Sequence, residues 1–288
     1  MIKMSSPQVA AALLLLACTF FSITMSRDCL AGQLTMYPQP EPVADESVNP
    51  EFKKLMNYDI VFVVDKSESM QRKDCFLMPD RDEDVAQVTP PDRHLSRWVW
   101  CQKQIANLFR IGGKSFPLSK LILFSDDFKV YENVGAEELT AAFMDNKPRG
   151  TTQAAKAIKP QLKQYFANKA RFGDVTRPLL IVVISDGGLT SKLPLRRAII
   201  EATDQMERPD EIAITFLKIG HDIRSSNLEH ELNKKPSHAT GKYNIVSVKD
   251  FDEINQIGLA RALLDATKAK PQDRSDQQTA SRSSTGTM

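Results

Sequence analysis

The 288-residue chain has the composition of an ordinary globular protein, with 42% hydrophobic and 26% charged residues, and is long enough for one domain with a sizeable core. Its 38 basic and 36 acidic residues leave a formal net charge of only +2. A charge this small creates no global field toward nucleic acid or an acidic membrane. We therefore expect no nucleic-acid partner and a function carried by specific sites.

The N-terminal segment predicts export. Residues 9–23 are apolar except for Thr19 and Ser22, and this stretch is shorter than the ~20 residues of a membrane-spanning helix. Small residues precede Gly32 at a plausible cleavage point. Residues 1–31 are predicted to be a signal peptide or an N-terminal anchor, with a lipoprotein signal at Cys18 as a further alternative. The predicted location is periplasmic, secreted or membrane-anchored, with membrane association only through this segment.

Two flanking segments lack the pattern of a packed core. Residues 32–57 contain four prolines and little periodicity, which predicts a Pro-containing linker. Residues 269–288 are rich in Ser, Thr, Gln and Asp and almost free of apolar side chains, which predicts a disordered tail. The predicted domain therefore spans residues 58–268.

A strand-like run near the start of this domain ends in a cluster of oxygen-bearing side chains. Residues 60–64 are a continuous apolar stretch, which predicts a strand covered on both faces. Asp65, Ser67 and Ser69 follow it, and ligands in open α/β sheets bind just beyond the carboxyl ends of such strands. One carboxylate and two hydroxyls are hard donors that suit magnesium, calcium or manganese better than zinc or copper. The pattern predicts a divalent-cation site, with Mg²⁺ as the first expected ion and Ca²⁺ or Mn²⁺ as alternatives.

Helix and strand signals alternate after this run. Residues 71–92 contain three prolines and many charges, which predict an inserted loop beside the site. The later signals are helices at 92–110, 136–143, 154–166, 195–206, 226–232 and 251–267, and strands at 121–124, 128–131, 179–184, 212–219 and 243–246. This alternation predicts an α/β fold, with a doubly wound, mostly parallel central sheet flanked by helices, as in Rossmann-like proteins.

Two later segments offer further oxygen ligands. The apolar run at 179–184 ends in Ser185 and Asp186, and the paired glycines after it allow a tight turn. Thr151 and Thr152 precede a helical pattern; we favour Thr152 as a ligand and keep Thr151 as the alternative. Serine and aspartate after a strand are also ordinary helix-capping and turn residues, so an ion-free site is the competing interpretation.

Cysteine usage fits export. Two of the four cysteines fall within the predicted signal, which leaves Cys75 in the insert and Cys101 on the first long helix. An oxidising compartment would permit a disulfide between them, closing a loop of about 26 residues worth roughly 3 kcal/mol. The alternative is two free thiols.

The ordered set of Asp65-x-Ser67-x-Ser69, Gly150-x-Thr152 and the strand-terminal Asp186 resembles the von Willebrand factor A-domain (vWA) family and its metal-ion-dependent adhesion site (MIDAS). The resemblance covers residues 59–266 and includes an acidic turn at 124–127. It implies that Ser67 and Ser69 bind the ion directly and that Thr152 binds it directly or through water. Asp65 and Asp186 would then neutralise charge from behind these ligands.

A weaker similarity extends to small microbial proteins of this family. The segments at 216–222 and 243–254 resemble relatives that include proteins associated with tellurite resistance. Those relatives are intracellular, whereas the N-terminus of this chain predicts export. A stress-resistance role is therefore not transferred.

The resemblance implies a binding function. The family's site leaves one coordination position open, which an Asp or Glu carboxylate of a protein partner completes. We therefore predict an exported or membrane-anchored protein that mediates divalent-cation-dependent protein binding. The alternatives are a structural scaffold with an unoccupied site or a metal-dependent enzyme.

Catalytic machinery is not apparent in the sequence. The four histidines show no zinc-binding spacing, and the chain has neither a Gly-x-Ser-x-Gly elbow nor a phosphate-binding Gly-Lys-Ser/Thr loop. We therefore expect a protein that is not an enzyme.

Overall fold

The computed structural model describes residues 50–76, 94–113, 116–190, 192–220 and 242–268. The predicted signal or anchor, most of the linker and insert, the helix at 226–232 and the C-terminal tail lie outside the described residues. Among the described residues, no helix is long and apolar enough to cross a membrane.

Helices and strands alternate along the described chain. Short 3₁₀ helices lie at Glu68–Gln71 and Gly173–Val175. The longer elements are α1 (Pro50–Leu55), β1 (Asp59–Asp65), α2 (Arg97–Gly112), β2 (Ser119–Phe124), β3 (Phe128–Val134), α3 (Ala136–Met144), α4 (Ala154–Phe172), β4 (Leu179–Ser185), α5 (Lys192–Gln205), β5 (Ile212–Lys218), β6 (Val246–Lys249), α6 (Phe251–Ile257) and α7 (Leu259–Ala266).

The strands form one six-stranded sheet in the order β3-β2-β1-β4-β5-β6. Each neighbouring pair is parallel except β2 and β3, which are antiparallel. The predicted class, a doubly wound and mostly parallel sheet flanked by helices, is confirmed. The strand order reverses between β1 and β4, and this switch point is where α/β sheets open a crevice for ligands.

Hydrophobic side chains pack on both faces of the sheet. Phe62 and Val64 of β1 belong to one core with Trp100 of α2, whereas Val63 belongs to the other core with Ile158 of α4. Successive side chains of a strand point to opposite faces, so a strand covered on both faces must be apolar throughout. This is why β1 and β4 are continuous apolar runs, and it fixes their carboxyl ends side by side.

The described domain extends further toward the N-terminus than predicted. Residues 32–57 were expected to form a linker, but Pro50–Leu55 is the helix α1. Phe52 and Leu55, three residues apart, are buried in the core beneath it. Burial of these two side chains stabilises a helix that its short sequence does not predict.

Two C-terminal elements also differ from the predicted boundaries. The last strand is Val246–Lys249 rather than 243–246, because its position is set by pairing with β5, where Val246 lies opposite Ile214. The single helix predicted at 251–267 is two helices. Gly258 separates them with a φ of +78°, a left-handed conformation that ends α6.

We expect the central strand β4 to dominate stability. Ile181 is fully buried (0% exposed), so Ile181→Ala should lower the free energy of unfolding by about 2–5 kcal/mol through lost burial and the cavity left behind. Val175→Ala is the control, because Val175 is 80% exposed and its truncation should cost no more than about 0.5 kcal/mol. Urea denaturation followed by circular dichroism measures both, and equal losses would contradict this packing.

Candidate metal site

The predicted site residues meet at the switch point of the sheet. Asp65 ends β1, Asp186 follows β4, and Thr152 lies two residues before α4. A cleft at this edge is lined by Ser67, Glu68, Ser69, Gln71, Arg72, Gly150 and Thr152. Asp65 and Asp186 are buried and are not among the lining residues. The three hydroxyl residues therefore border the cleft, and the two carboxylates do not.

Asp65 is a fully buried carboxylate (0% exposed) that joins β1 to β4. Its Oδ1 accepts a hydrogen bond from the Ser67 backbone N–H at 2.7 Å, and its Oδ2 accepts one from the Ser185 hydroxyl at 2.8 Å. Burial raises the pKa of Asp65 to about 6, although these hydrogen bonds act in the opposite direction. All of its hydrogen-bond donors in the described chain are neutral groups.

The two serines of the Asp-x-Ser-x-Ser segment present their oxygens close together. The Ser67 and Ser69 hydroxyl oxygens lie 3.1 Å apart. Adjacent ligands of an octahedral Mg²⁺ ion are separated by about 2.9 Å, given Mg–O distances of 2.0–2.1 Å. Met70, fully buried, anchors the 3₁₀ helix that carries Ser69. The spacing fits two neighbouring positions of such an ion.

The threonine segment distinguishes Thr152 from Thr151. The Thr151 hydroxyl donates to Asp126 Oδ1 at 2.5 Å, and this threonine is exposed. Thr152 is buried and lines the cleft, and its carbonyl accepts hydrogen bonds from both the backbone N–H and the hydroxyl of Thr190 at 3.0 Å. These contacts favour Thr152, and its ligand role stays a prediction.

Gly150 makes this turn possible. Its φ is +85°, a left-handed conformation, and a Cβ atom there would lie 2.5 Å from Asp126 Oδ2. Its carbonyl accepts a hydrogen bond from the Glu68 backbone N–H at 3.3 Å. The glycine thus lets the threonine segment approach both the acidic turn and the serine segment.

Asp186 belongs to a buried ionic cluster. Its Oδ2 accepts a hydrogen bond from Arg97 Nη1 at 3.1 Å, and its Oδ1 accepts one from the Gly188 backbone N–H at 3.1 Å. The Arg97 side chain is 1% exposed. It also donates two hydrogen bonds to Asp74, from Nε to Oδ1 at 2.9 Å and from Nη2 to Oδ2 at 2.5 Å. One guanidinium therefore forms ion pairs with two carboxylates.

The surroundings of Arg97 are adapted to its charge. Burial opposes ionisation of Asp74, but the hydrogen bonds and charge of Arg97 outweigh it and lower the pKa of that carboxyl. Gly220 follows β5 with a φ of +77°, and a Cβ atom there would lie 2.4 Å from Arg97 Nε. Glycine at this position leaves room for the guanidinium.

Sequence reasoning missed three residues of this centre. Ser185 carried a signal, since it lies between the β4 run and Asp186. Arg97 carried a weaker one, as a charged residue among the apolar positions of the predicted first helix. Asp74 carried none, because its partner Arg97 lies 23 residues away along the chain.

Cys75 and Cys101 are both buried free thiols in this structure, and the disulfide between them stays a prediction. Burial, with the nearby Asp74 carboxylate, raises the pKa of Cys75 to about 12. Burial also raises the pKa of Cys101. The backbone of Cys75 pairs with Leu95 through hydrogen bonds of 3.2 and 2.7 Å, which fixes the start of the insert against the segment before α2.

The candidate ligand set depends on hydroxyls. No group of three or more His, Cys, Asp or Glu side chains that could hold a metal occurs in the described part of the chain. The set at the switch point contains two carboxylates, and its other oxygens come from Ser67, Ser69 and Thr152. This donor set is one for a hard cation such as Mg²⁺.

No protein-family model and no curated protein matches the sequence. Among solved structures, the chain is similar to the manganese-loaded TRAP protein of Plasmodium vivax, with 14% identity and a TM-score of 0.44 over 75% of this chain and 76% of that one. It is also similar to proximal thread matrix protein 1 from the mussel byssus, with a zinc-occupied MIDAS motif, at 13% identity and a TM-score of 0.42. That match covers 73% of this chain and 47% of the mussel chain.

A further similarity is to the SpRpn10 VWA domain, with 17% identity and a TM-score of 0.40 over 67% of this chain and 87% of that one. These structural neighbours are vWA-domain proteins. Similarities at identities this low are not evidence for the function of this chain.

We expect the ionic cluster to be a large contribution to stability. Arg97→Gln leaves Asp74 and Asp186 without their cation, and breaking a buried pair in this way should lower the free energy of unfolding by about 3–5 kcal/mol. Arg208→Gln is the control, because the exposed Arg208–Asp210 pair at 3.4 Å should be worth no more than about 1 kcal/mol. Chemical denaturation compares the two; a loss below 1 kcal/mol for Arg97→Gln would contradict the cluster.

Proposed function

We propose that this protein binds protein partners through a divalent cation at the switch point of the sheet. Ser67, Ser69 and Thr152 would hold the ion, and Asp65 and Asp186 would supply negative charge behind them. The ion we favour is Mg²⁺, with Ca²⁺ or Mn²⁺ as alternatives. An Asp or Glu side chain of the partner would complete the coordination sphere.

The observation that carries this proposal is the environment of Asp65. Within the described residues, this fully buried carboxylate receives hydrogen bonds only from neutral groups, and such a carboxylate is costly to ionise. A cation bound between the serine and threonine hydroxyls would supply the missing positive charge. It would thereby turn an unfavourable buried charge into a favourable one.

The charges around the site support a divalent ion. Asp65, Asp74 and Asp186 are three carboxylates, and the single guanidinium of Arg97 is paired with two of them. When all are ionised, these four groups carry two net negative charges, and Glu68 and Arg72, which line the cleft, have opposite charges that leave this balance unchanged. A divalent cation balances that charge, whereas a monovalent ion leaves half of it.

The neutral ligands explain why the partner should be acidic. Hydroxyl oxygens do not cancel the charge of the ion, so it keeps the positive character that attracts an external carboxylate. The residues that line the cleft include no His or Cys within the described chain, and Glu68 is their only carboxylate. This composition favours binding over catalysis, and we propose that the protein is not an enzyme.

Export is a part of the proposal that rests on the sequence. The N-terminal segment at 1–31 lies outside the described residues. We propose that it directs the protein out of the cytoplasm or anchors it in the membrane. The cleft would then bind its partner in the periplasm, in the secreted fraction or at the membrane surface.

Cation binding is testable without a partner. Mg²⁺, Ca²⁺ or Mn²⁺ at 100 times its Kd should stabilise the fold by about 2.7 kcal/mol, or roughly 5–10 °C in Tm. Asp65→Asn should remove this shift, because it keeps the shape of the side chain but not its charge. Calorimetric titration measures cation binding, and thermal unfolding measures the shift in Tm, in the wild-type protein and in the Asp65→Asn variant.

The matched control is Asp59→Asn at the other end of β1, where the carboxylate is 57% exposed. It should keep the full shift. No cation-induced shift in the wild-type protein would instead support a scaffold with an empty site. An equal shift in Asp65→Asn would place the ion elsewhere.

Partner capture should depend on the same ion. Proteins retained by the immobilised chain in Mg²⁺ should be released by a chelator, and the Ser67→Ala/Ser69→Ala variant should retain none of them, because the ion would lose two direct ligands. Mass spectrometry of the chelator eluate identifies these proteins. Capture that resists both the chelator and the serine variant would contradict a metal-mediated interaction.

A further inference from the structure

The helix that follows the threonine ligand segment has an unusual charge. The 19 residues of α4 include Lys156, Lys159, Lys163, Lys169 and Arg171 and contain no acidic residue. The whole chain is almost balanced, with a net charge of +2. The positive charge of α4 is therefore a local property of one surface.

Three of these lysines form a stripe on α4. Lys156, Lys159 and Lys163 are exposed and spaced by three and four residues, which places them on one face of the helix. On α5, Arg197 and Glu201 are four residues apart and also exposed. Lys159 Nζ lies 3.7 Å from Glu201 Oε2, so these faces of α4 and α5 lie next to each other. We call the surface formed by Lys156, Lys159, Lys163 and Arg197 the basic groove.

The basic groove begins at the cleft of the candidate metal site. Thr152 lies two residues before α4, and Thr190, which is hydrogen-bonded to Thr152, lies two residues before α5. Lys156 Nζ donates to the Asp126 carbonyl at 3.0 Å. The carboxylate of the same Asp126 accepts a hydrogen bond from the Thr151 hydroxyl. Both helices therefore start at the cleft, and their N-terminal ends add partial positive charge there.

The positive charge of the basic groove is cancelled only in part. Lys159 pairs with Glu201, and Lys156 interacts electrostatically with Asp126, whereas Lys163 and Arg197 form no ion pair with other described residues. Farther along α4 the situation changes, because Lys169 pairs with Glu207 at 3.0 Å and Glu211 at 2.9 Å. The positive stretch is thus short and ends within α4.

The length of the stripe indicates the size of its ligand. Seven residues separate Lys156 from Lys163, which is about 10 Å along a helix. An extended peptide covers that distance in roughly three residues. A short acidic segment therefore fits the basic groove, whereas a long polyanion would need a positive surface that continues past Lys169.

We propose that the partner presents a short acidic protein segment. One of its carboxylates completes the coordination of the cation, and the Asp or Glu residues within about the next five positions lie along the basic groove, because Lys163 lies eleven residues beyond Thr152. This inference rests on the proposed function, since it takes the cleft to hold a cation. Each exposed charge pair contributes little alone, and several together guide and orient an acidic ligand.

The test uses two capped fluorescent peptides of equal length in Mg²⁺ at low ionic strength. One has a single Asp in a Gly/Ser sequence, and the other has three Glu residues distributed over about five positions after that Asp. Fluorescence anisotropy should show that the full chain binds the Glu-containing peptide roughly tenfold more tightly, as two or three surface pairs would produce. Lys163→Glu/Arg197→Glu should abolish this preference and leave binding of the single-Asp peptide within about threefold.

The matched control is Lys53→Glu/Lys54→Glu, which makes the same change in net charge on α1, against the opposite face of the sheet. It should keep the tenfold preference. Equal affinity for the two peptides, an unchanged preference in the groove variant, or an equal loss in the α1 variant would overturn the proposal. Displacement of the Glu peptide by dextran sulfate at lower concentrations than by unlabelled Glu peptide would also overturn it, in favour of a polyanion surface.

A chelator separates this proposal from the metal site. If the chelator abolishes binding but the groove variant behaves like wild type, the cation mechanism stands and the basic groove has no role. If the groove variant loses the preference but the chelator has no effect, the basic groove binds acidic segments without a cation. Loss of binding with the chelator, together with loss of the preference in the groove variant, supports the combined site.

Discussion

The burial of Asp65 is the constraint on which the rest of the site depends. A carboxylate at the end of a central strand cannot reach water, so the protein must satisfy both of its oxygens internally. The Ser67 backbone satisfies one, and the Ser185 hydroxyl satisfies the other across the gap between β1 and β4. Ser185 also accepts a hydrogen bond from the Gly187 backbone N–H at 3.2 Å. A single buried charge thereby fixes the two loops that form the candidate metal site.

The two carboxylates of the site, Asp65 and Asp186, differ in the charge of their partners. Asp186 has a permanent cationic partner in Arg97, and Arg97 is itself held by Asp74. Among the described residues Asp65 has neutral hydrogen-bond partners only, so it is the carboxylate without a cationic partner there. Forming a buried ion pair has a cost in desolvation. This cluster joins Arg97 of α2 to Asp74 and to Asp186, which follows β4. The cluster can thus hold Asp186 in place whether or not an ion is present.

The proposed ion and the basic groove favour the same kind of ligand for different physical reasons. The cation acts at short range and selects a carboxylate through coordination. The lysines and the arginine would act over about 10 Å, with screening by salt, and would select the residues around that carboxylate. On this proposal, a chain whose total charge is nearly zero would still discriminate between acidic segments, because its charge is distributed unevenly.

The amino-acid sequence by itself determined the fold class and the strands that carry the site. Continuous apolar runs predict β1 and β4 as strands buried on both faces, and the alternation of elements predicts the doubly wound sheet, because both patterns are local. The positions of Asp65, Ser67, Ser69, Thr152 and Asp186 at strand and helix ends were predicted for the same reason.

Only the tertiary structure decided which of these side chains have partners. The contact between Arg97 and Asp186 joins residues 89 positions apart, and that between Ser185 and Asp65 joins residues 120 apart. The helix α1 and the exact position of β6 likewise depend on burial against remote residues and on pairing with β5. The basic groove exists because α4 and α5 pack side by side, which no local pattern specifies. Contacts of this kind depend on how distant segments are brought together, and that is a property of the folded chain rather than of any segment within it.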